Sequence, residues 1–420
     1  MKPVGELSKP SWLVSKKLIE IFAKLDNNAK IVGGAVRDAI KKPNKKVTDI
    51  DIATPILPDE VLTRLKTLDK NIYAVKDIGI KHGTVSVFSN EMSYEITTLR
   101  RDDKTDGRHA EVSFTDDYLE DAKRRDFTFN SLYADLDGKV YDPFGGLYDL
   151  SHGIVKFIGN PDERINEDYL RILRFFRFFA YFGYGRVDPQ AYDACRKNAS
   201  KLQEISKERI RDEIFKILMS DMPEDIFLLM QNAGLLPFIV NSKINIGALR
   251  QLVFLEGRGL RIEVVGGANI IRRLACLIEG EPSEVADFLK LSKKQKSDLV
   301  LLSTMKINNG INENYIKELI EKYGVAKFLD LLLISWAKER DYEISSKENT
   351  KWREILDFAV NADVPEFPIT GKDLIEMGFT QGERVGVLLK TLKSAWISSG
   401  FTLTKEQLLG ILKNGSGIPT

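Results

Sequence analysis

Cysteine and histidine are scarce in this 420-residue chain, which has only Cys195, Cys276, His82, His109 and His152. Two cysteines exclude a disulfide framework and a cysteine-rich zinc site, and they are typical of a protein from a reducing compartment. Because every histidine lies in the first part of the chain, a histidine-built metal phosphohydrolase in the C-terminal half is excluded. Nothing around these histidines indicates a Ser-His-Asp or Cys-His triad.

An excess of charge of one sign and long hydrophobic runs are also missing. The 62 Lys and Arg residues against 61 Asp and Glu residues leave a net charge of +1. This balance disfavours a histone-like or basic-tail mode of nucleic-acid binding, so any RNA contact must come from a local basic surface. The start of the chain has no apolar signal segment, and charge breaks each apolar stretch well before the ~20 residues that span a membrane. We therefore expect a cytoplasmic protein without a membrane partner.

The hydrophobic pattern changes along the chain and divides it into a mixed first part and a helical remainder. A length of 420 residues exceeds one compact domain. In the first part, β-rich runs predict about five strands, at 47–53, 84–88, 94–99, 111–115 and 139–142. From Gly159 onward, apolar residues recur at spacings of three and four, which indicates helices. The main predicted helices cover 165–182, 206–219, 223–230, 268–278, 293–304, 314–322, 325–337 and 351–362.

Two aspartates alternate with isoleucines in the strand predicted at 47–53. Side chains alternate between the faces of a strand, so Asp49 and Asp51 project from one face while Ile50 and Ile52 enter the core. Two neighbouring carboxylates repel each other unless a cation lies between them, and oxygen ligands suit Mg²⁺. Taken alone, an edge strand with two solvated aspartates explains the pattern better than a metal site does.

The segment just upstream changes that balance. Residues 32–38 place Gly33 and Gly34 at a turn that feeds a helix, where bare backbone N–H groups can hold a phosphate. Arg37 adds a charged fork for the same phosphate. A glycine pair alone is weak evidence, but Gly-Gly-x-x-Arg-Asp followed about a dozen residues later by Asp-x-Asp is a specific pattern.

These segments resemble the class II family of tRNA nucleotidyltransferases and poly(A) polymerases, within the polymerase-β-like nucleotidyltransferases. Further matching segments are Gly-Ile-Lys-His-Gly-Thr at 79–84, Tyr-Glu-Ile-Thr-Thr-Leu-Arg at 94–100, Arg-Arg-Asp-Phe-Thr-Phe-Asn at 124–130 and Asp-Pro-Phe-Gly-Gly at 142–146. The resemblance implies an α+β fold in which a mixed-sheet nucleotidyltransferase head precedes an all-α neck, body and tail. We place these parts at 1–150, 151–220, 221–364 and 365–420.

The Arg-Arg-Asp segment supplies three predicted nucleotide contacts. By resemblance, Arg125 contacts the nucleotide, and Asp126 with Asn130 helps to orient it near the ribose. A purely structural explanation is a helix end with a local ion pair, in which Asp126 serves as a helix cap.

A second candidate site lies in the predicted helix that contains residues 166–177. At about 100° per residue, Glu167, Asp168, Arg171 and Arg174 fall within an arc of roughly 120°, and Arg177 lies at its margin. Surface helices often carry such ion pairs for only a few tenths of a kcal/mol, so a structural role explains them equally well.

The resemblance places this Glu-Asp-x-x-Arg segment as a protein template for the incoming base. An aspartate accepts from the exocyclic amine of cytosine or adenine, and an arginine donates to the neighbouring ring acceptors. Guanine and uracil present the wrong pattern at that edge. Asp168 and Arg171 are thus the predicted selectors, with Arg174 and Arg177 as nearby nucleotide or phosphate contacts.

The charged segment 101–109 predicts a mobile loop, although a plain solvated connection explains its composition as well. In the resembling family this loop is associated with the switch from C to A addition. Its presence favours an enzyme that adds the complete CCA.

The family resemblance implies template-independent completion of the tRNA 3′ CCA end from CTP and ATP. Asp49 and Asp51 are expected to hold two Mg²⁺ ions, and Glu95, one strand away, is a candidate third carboxylate. The tRNA and the two nucleotides are the expected partners, and both a monomer and a homodimer remain open. An A-adding enzyme or a poly(A) polymerase is the alternative within the family. A non-catalytic RNA-binding module is the alternative from another class, although the intact Asp-x-Asp and Glu-Asp-x-x-Arg motifs argue against it.

Overall fold

A computed structural model of the chain describes residues 1–43, 45–77, 79–89, 92–105, 110–184, 187–260, 266–342 and 345–414. The chain separates into two compact units. The first unit comprises Met1–Asn241 with Asp287–Lys290, and the second comprises Ser242–Ala286 with Leu291–Thr420. The strands lie in the first unit and the described part of the second is helical, which confirms the predicted fold class.

Ten strands lie within the described part of the first unit. They are β1 (Gly5–Glu6), β2 (Lys30–Val32), β3 (Asp49–Thr54), β4 (Ala74–Lys76), β5 (Thr84–Ser89), β6 (Met92–Thr98), β7 (Arg100–Thr105), β8 (Ala110–Phe114), β9 (Tyr133–Ala134) and β10 (Lys139–Tyr141). Eight of them form one sheet in the order β1-β10-β9-β2-β3-β6-β5-β4, and β7 pairs with β8. The sheet is mixed because β3 runs antiparallel to β2 and parallel to β6.

The aspartate-bearing strand β3 lies inside the sheet. Ile50 and Ile52 are fully buried, whereas Asp49 is exposed and Asp51 is partly exposed, so the predicted alternation is confirmed. The alternative of an edge strand is wrong, since β3 has a hydrogen-bonded neighbour on each side. Two carboxylates on one face of an inner strand have less room to rotate away from each other than two carboxylates on an edge strand.

The prediction of a mobile loop at 101–109 is wrong for residues 101–105. Arg100–Thr105 is a strand that pairs antiparallel with Ala110–Phe114, and residues 106–109 lie outside the described residues. The hydrogen bonds between paired strands join backbone groups. A run of charged residues can therefore form a strand although these residues have low β-propensity. The other strands missing from the prediction have only two or three residues, too few to show a period of two.

Eleven helices lie in the described part of the first unit. They are α1 (Lys16–Lys24), α2 (Gly34–Lys41), α3 (Pro58–Leu65), α4 (Tyr118–Lys123), α5 (Gly146–His152), α6 (Pro161–Glu167), α7 (Leu170–Phe182), α8 (Pro189–Lys197), α9 (Lys207–Leu218), α10 (Pro223–Asn232) and α11 (Leu236–Ile239). Aromatic side chains fill the interior around α7, where Phe175 and Phe176 are almost completely buried.

The single helix predicted over 165–182 is wrong, because the chain breaks between α6 and α7. Asp168 is extended, with φ −155° and ψ 106°, and its side chain accepts a hydrogen bond from the backbone N–H of Leu170 at 3.1 Å. A short aspartate side chain that bonds to a nearby N–H competes with continued helix. Glu167 and Asp168 therefore do not share one helical face with Arg171 and Arg174.

The C-terminal helices are α12 (Ile246–Phe254), α13 (Ile270–Leu277), α14 (Pro282–Phe288), α15 (Lys293–Thr304), α16 (Glu313–Tyr323), α17 (Val325–Arg340), α18 (Ser346–Asn361), α19 (Gly371–Glu376), α20 (Glu383–Ser398) and α21 (Lys405–Asn414). The stacked indoles of Trp336 and Trp352 lie in the core of the second unit, 6.3 Å apart. Its last three helices enclose a separate apolar cluster around Leu392 and Trp396. None of the described helices is long and apolar enough to cross a membrane.

Candidate active site

A cavity of about 770 Å³ opens in the first unit. Its lining includes twelve of the fourteen predicted site residues, which are Gly33, Gly34, Arg37, Asp49, Asp51, Arg125, Asp126, Asn130, Asp168, Arg171, Arg174 and Arg177. The other two, Glu95 and Glu167, contact members of this group from outside the lining. Sequence reasoning missed the remaining lining residues, which are Asp38, Lys45, Arg124, Leu170, Phe178, Tyr181, Phe182, Arg209 and Lys216.

The lining is strongly basic. Nine of the side chains are arginine or lysine and five are aspartate. Arginine forks bind phosphate oxygens in pairs, and a concave wall of one charge concentrates the potential inside it. A cavity of this composition is suited to a polyanion, and the aspartates Asp49 and Asp51 add a candidate site for a cation.

Asp49 and Asp51 lie on the same face of β3, and the charge of Asp49 disfavours the charged form of Asp51. Burial and then the charge of Asp49 raise the pKa of Asp51 to about 6. Asp49 accepts a hydrogen bond from the Ser93 hydroxyl at 2.7 Å, which orients its carboxylate. Glu95 is opposite Asp51 in the parallel register with β6, and burial and the charge of Asp49 raise the pKa of Glu95 as well.

A divalent cation fits this pair, because it would relieve the repulsion that raises the pKa of Asp51. Carboxylate oxygens are hard ligands of the kind that Mg²⁺ takes together with water and substrate phosphates. Within the described ranges, no three His, Cys, Asp or Glu side chains surround a common point closely enough to hold an ion. Asp49 and Asp51 stay the predicted protein ligands, and the charge of Glu95 contributes to the raised pKa of Asp51.

The raised pKa of Asp51 has a measurable effect on stability. Because the folded state holds the proton more tightly than the unfolded chain, ionising Asp51 costs stability as the pH rises from about 4 to about 6, and the full penalty persists above pH 6. We expect Asp51→Asn to stabilise the metal-free protein at pH 7.5 by at most about 3 kcal/mol, from about 1.4 kcal/mol per pKa unit.

Urea unfolding in EDTA at pH 7.5 and pH 4.5 measures this gain, which should shrink at the lower pH. Asp137→Asn is the matched control, since the Asp137 side chain is 79% exposed. Added Mg²⁺ should then stabilise the wild-type protein more than Asp51→Asn. A variant that is less stable than wild type at pH 7.5 without metal would contradict the assignment.

The glycine turn brings bare backbone close to the aspartates. Gly33 has φ +73°, a conformation that residues with a Cβ rarely adopt. A Cβ on Gly33 would be 3.7 Å from Asp51 Oδ2 and 3.9 Å from Arg125 Nη1. The turn leads directly into α2, whose first backbone N–H groups are available for an anion. Phosphate oxygens bound there would lie next to the candidate metal ligands.

A chain of polar contacts links α2 to α7 across the cavity wall. Arg37 donates from Nη1 to Asn130 Oδ1 at 2.7 Å and from Nε to Asp38 at 2.9 Å. Asn130 donates to Asp126 at 2.8 Å, and Asp126 also accepts from Arg174 Nε at 2.7 Å. Burial alone would raise the pKa of Asp126, but Arg174 and Asn130 outweigh it and lower that pKa to about 2. Asp126 is therefore a carboxylate that orients its neighbours.

Asp121 is a positioning residue that the sequence prediction missed. Its carboxylate is 1% exposed and accepts from Arg124 Nε at 2.8 Å, Arg125 Nη2 at 3.0 Å and the Tyr133 hydroxyl at 2.8 Å. The charges of Arg125 and Arg124 lower the pKa of Asp121 to about 2 against the effect of burial. This contact leaves Arg125 Nη1 near Gly33. The spacings of three and four from Asp121 to the two arginines were visible in the sequence.

Asp121→Asn is expected to weaken nucleotide binding, because a neutral amide cannot neutralise two buried guanidinium groups. Removing one partner of a buried ion pair costs about 3–5 kcal/mol of stability. In protein that is still folded, we expect the KM for nucleotide to rise about tenfold, with a smaller change in kcat. Initial rates at fixed RNA measure the KM, and urea unfolding measures the stability. The exposed Asp116→Asn is the control, and an unchanged KM in folded Asp121→Asn would show that Arg125 does not depend on Asp121.

The break between α6 and α7 turns Asp168 into the cavity beside Arg171. Asp168 Oδ2 accepts from Arg209 Nη2 at 2.8 Å, which fixes the carboxylate from α9. Arg171 donates to the backbone oxygens of Arg164 at 2.8 Å and Arg124 at 2.9 Å, and Glu167 pairs with it. Each Asp168 oxygen keeps a lone pair for another donor. Glu167 and Arg209 therefore hold the two predicted base selectors in place.

Three of the cavity's arginines lie close to the ring of Phe178. The guanidinium carbons of Arg37, Arg174 and Arg177 are 5.2, 5.2 and 4.4 Å from the centre of its ring. A ring face attracts each cation while keeping the like charges apart. Arg177 also pairs with the buried Glu213 on α9 at 3.0 Å. The arrangement holds a set of positive charges that a triphosphate can bridge.

Comparison with known protein families gives matches in the first unit. The family described as the Poly A polymerase head domain matches residues 29–156. The family described as the probable RNA and SrmB-binding site of polymerase A matches residues 186–242. The first match contains the aspartate pair and the Arg-Arg-Asp segment, and the second contains Arg209.

Relatives with similar sequences extend over nearly the whole chain. The chain is 34% identical to the mitochondrial CCA tRNA nucleotidyltransferase 1 of Mus musculus, over 95% of this chain and 89% of that protein. It is 33% identical to the Danio rerio protein of the same name, over 94% and 89%. It is 30% identical to a CCA-adding enzyme of Lactobacillus johnsonii, over 87% and 88%.

Solved structures of CCA-adding enzymes are also similar to this chain over nearly its whole length. A CCA-adding enzyme of Bacillus stearothermophilus in complex with CTP superposes with a TM-score of 0.70 at 26% identity, covering 95% of this chain and 98% of that one. A Thermotoga maritima CCA-adding enzyme complexed with tRNA shares the fold, with a TM-score of 0.64 at 20% identity over 98% and 99%.

Proposed function

The chain belongs to the family of CCA-adding tRNA nucleotidyltransferases, and from that premise we propose that it completes the 3′ CCA end of tRNA from CTP and ATP. The observation that carries the proposal is the composition of one cavity, in which an aspartate pair, a phosphate-binding turn and the Asp168–Arg171 pair all face the same space. The relatives just named, with 30–34% identity over most of the chain, support it.

Asp49 and Asp51 would hold Mg²⁺, which when bound lowers the pKa of the RNA 3′-hydroxyl and neutralises the triphosphate. The α2 N-terminus, Arg37 and Arg125 orient the phosphates so that the 3′-hydroxyl attacks the α-phosphate in line. The bond between the α- and β-phosphates breaks, pyrophosphate leaves, and the hydroxyl proton passes to water. Asp126 and Asn130 hold these groups through the polar chain from α2 to α7. Positioning and charge stabilisation supply most of the rate, and no histidine base is required.

Asp168 and Arg171 select the base. The carboxylate of Asp168 accepts from the exocyclic amine of cytosine or adenine, and Arg171 donates to the adjoining ring acceptors. Uracil and guanine carry an acceptor where C and A carry the amine, so they meet the carboxylate with like polarity. Because one pair of side chains suits both C and A, we propose that CTP and ATP occupy the same site in turn.

Two other enzymes of the family and one non-catalytic alternative would have the same head domain. Their products distinguish them. An A-adding enzyme extends only RNA that ends in CC, and a poly(A) polymerase continues beyond one A. A non-catalytic RNA-binding module incorporates nothing. The relatives named as CCA tRNA nucleotidyltransferases and CCA-adding enzymes favour the complete reaction over these alternatives.

The test uses three labelled tRNAs, ending before CCA, after C and after CC, incubated with protein and Mg²⁺ and with CTP, ATP or both. We expect each RNA to grow to CCA and no further on a sequencing gel. Addition of A alone to the CC end would show an A-adding enzyme, and long A tracts would show a poly(A) polymerase. An absence of incorporation with retained RNA binding would show a non-catalytic module.

The location and the division into parts are further proposals. Cys195 and Cys276 are both unpaired and buried, as expected in a reducing compartment. We propose a cytoplasmic location, although the animal relatives are named mitochondrial, and imaging of a tagged chain tests it. The boundaries at residues 150, 220 and 364 stay predictions.

A further inference from the structure

Four lysines lie within six residues at the end of α2 and just after it, at Lys41, Lys42, Lys45 and Lys46. The last three are exposed, and Lys45 pairs with Asp38 at 2.6 Å while lining the cavity. Lys42 and Lys46 form no ion pair with any described residue. In a chain whose net charge is +1, this segment is a local concentration of uncompensated positive charge.

An exposed tyrosine packs beside this segment. Tyr184, two residues beyond α7, is 51% exposed, and Lys41 Nζ is 4.5 Å from the centre of its ring. The Tyr184 N–H donates to the Gly153 carbonyl at 3.3 Å. Gly153 has φ +66°, and a Cβ there would come within 2.5 Å of the Tyr184 ring, so only glycine allows this approach. The Tyr184 ring is therefore held in place while about half of the residue stays exposed to solvent.

A second exposed tyrosine lies on α5, the helix that Gly153 ends. Tyr148 is 62% exposed, and its ring stacks on His152 at a centroid distance of 4.0 Å. Exposed rings held by neighbouring side chains are the usual platforms on which proteins stack unpaired bases. Tyr148, on the helix that Gly153 ends, and Tyr184, which packs on Gly153, are two such rings.

This area is continuous with the cavity. Tyr181 and Phe182, which immediately precede the Tyr184 region, line the cavity, and Arg37 is 4.3 Å from the Phe182 ring centre. Lys45 lines the cavity from the lysine segment. A strand whose 3′ end lies in the cavity can thus reach the lysines and tyrosines without leaving the protein surface.

We propose that Lys41, Lys42, Lys45 and Lys46 with Tyr148 and Tyr184, the lysine–tyrosine surface, bind the single-stranded 3′ segment of the RNA substrate. The proposal rests on the proposed function, which supplies an RNA whose 3′ end must enter the cavity. The lysines attract the phosphates, and the tyrosines stack with bases regardless of sequence. Single-stranded RNA suits this surface better than a protein partner does, because bases that can stack and charged phosphates alternate along the RNA strand.

Charge reversal at the two unpaired lysines tests the electrostatic part. Lys42→Glu with Lys46→Glu should raise the Kd for tRNA lacking CCA about tenfold at low salt. The slope of log binding constant against log salt should become shallower by at least about 1.4, since each single-strand phosphate contact contributes about 0.7. The KM for CTP at saturating RNA should stay unchanged, because neither side chain lines the cavity.

The matched control is Lys66→Glu with Lys70→Glu, which makes the same charge change at two exposed lysines of the first unit outside the cavity lining. Filter binding without nucleotide measures Kd for all three proteins. Equal Kd values for the test and control variants would overturn the proposal. A raised KM for CTP with an unchanged RNA Kd would also overturn it, because the lysines would then serve the triphosphate.

A ring substitution tests the stacking part separately. Tyr148→Ser should raise the RNA Kd about fivefold or more, whereas Tyr148→Phe keeps the ring and should bind like wild type. Wild-type binding by Tyr148→Ser would overturn the role of the ring. These outcomes are distinct from failure of the proposed function, in which wild-type protein would add no nucleotide. The inference fails when wild type extends the RNA and the variants bind RNA as the control does.

Discussion

Asp51→Ala is expected to abolish addition of both C and A. The pair on β3 is the proposed cation site, and loss of metal-derived charge stabilisation, worth several kcal/mol, is expected to lower the rate by about a thousandfold or more. Asp49→Ala should have the same effect, because both carboxylates are proposed to hold the ion. The loss should fall on kcat, since the proposed phosphate contacts come mostly from the glycine turn and the arginines.

Single-turnover incorporation into tRNA ending in CC, with ATP and Mg²⁺, measures this effect, and filter binding measures RNA affinity, which should change less than about threefold. Asp137→Ala, at an exposed aspartate of the same unit, is the control and should act like wild type. Retained incorporation of nucleotide by Asp51→Ala would contradict the assignment of Asp51 as a metal ligand. A parallel loss of RNA binding would instead indicate a disrupted fold.

Arg171→Ala is expected to damage base selection as well as rate. A bidentate contact to a base edge contributes about 1–3 kcal/mol of discrimination, so the preference for CTP over UTP should fall about 10-fold to 100-fold. The same side chain ties α7 to the Arg164 and Arg124 carbonyls, so the overall rate should fall too. The change in the CTP to UTP ratio separates recognition from this structural loss.

Competition between labelled CTP and UTP for incorporation measures the ratio. Asp168→Asn is the complementary variant, because its amide donates where the carboxylate accepts and should disfavour the amine of C and A. Arg196→Ala, whose side chain is 62% exposed on α8, is the control. Unchanged discrimination against UTP and GTP in both Arg171→Ala and Asp168→Asn would contradict the template role.

Local patterns predicted the sheet side of the site. The alternation in Asp49–Asp51 and the Gly33–Gly34 turn depend on neighbouring residues, and the structure places both beside the cavity. Asp121 could also have been predicted, because the sequence shows that it lies one helical turn before Arg125. It was missed because that spacing is equally typical of a surface ion pair.

Long-range contacts could not be predicted in the same way. Periodicity alone extends a helix through Asp168, but the Asp168 carboxylate accepts from the Leu170 N–H and also from Arg209, 41 residues away, and the segment is extended. The paired strand at Arg100–Thr105 depends on a partner strand more than on its own charged residues. There a tertiary contact overrides the local propensity.

A single cavity that serves CTP and ATP in turn is the central claim, and equilibrium dialysis of labelled CTP against unlabelled ATP tests it most directly. In the presence of Mg²⁺ we expect one CTP per chain, complete displacement by ATP, and weaker binding of both nucleotides in Arg171→Ala. Two nucleotides bound per chain, or CTP that ATP does not displace, would contradict a shared site.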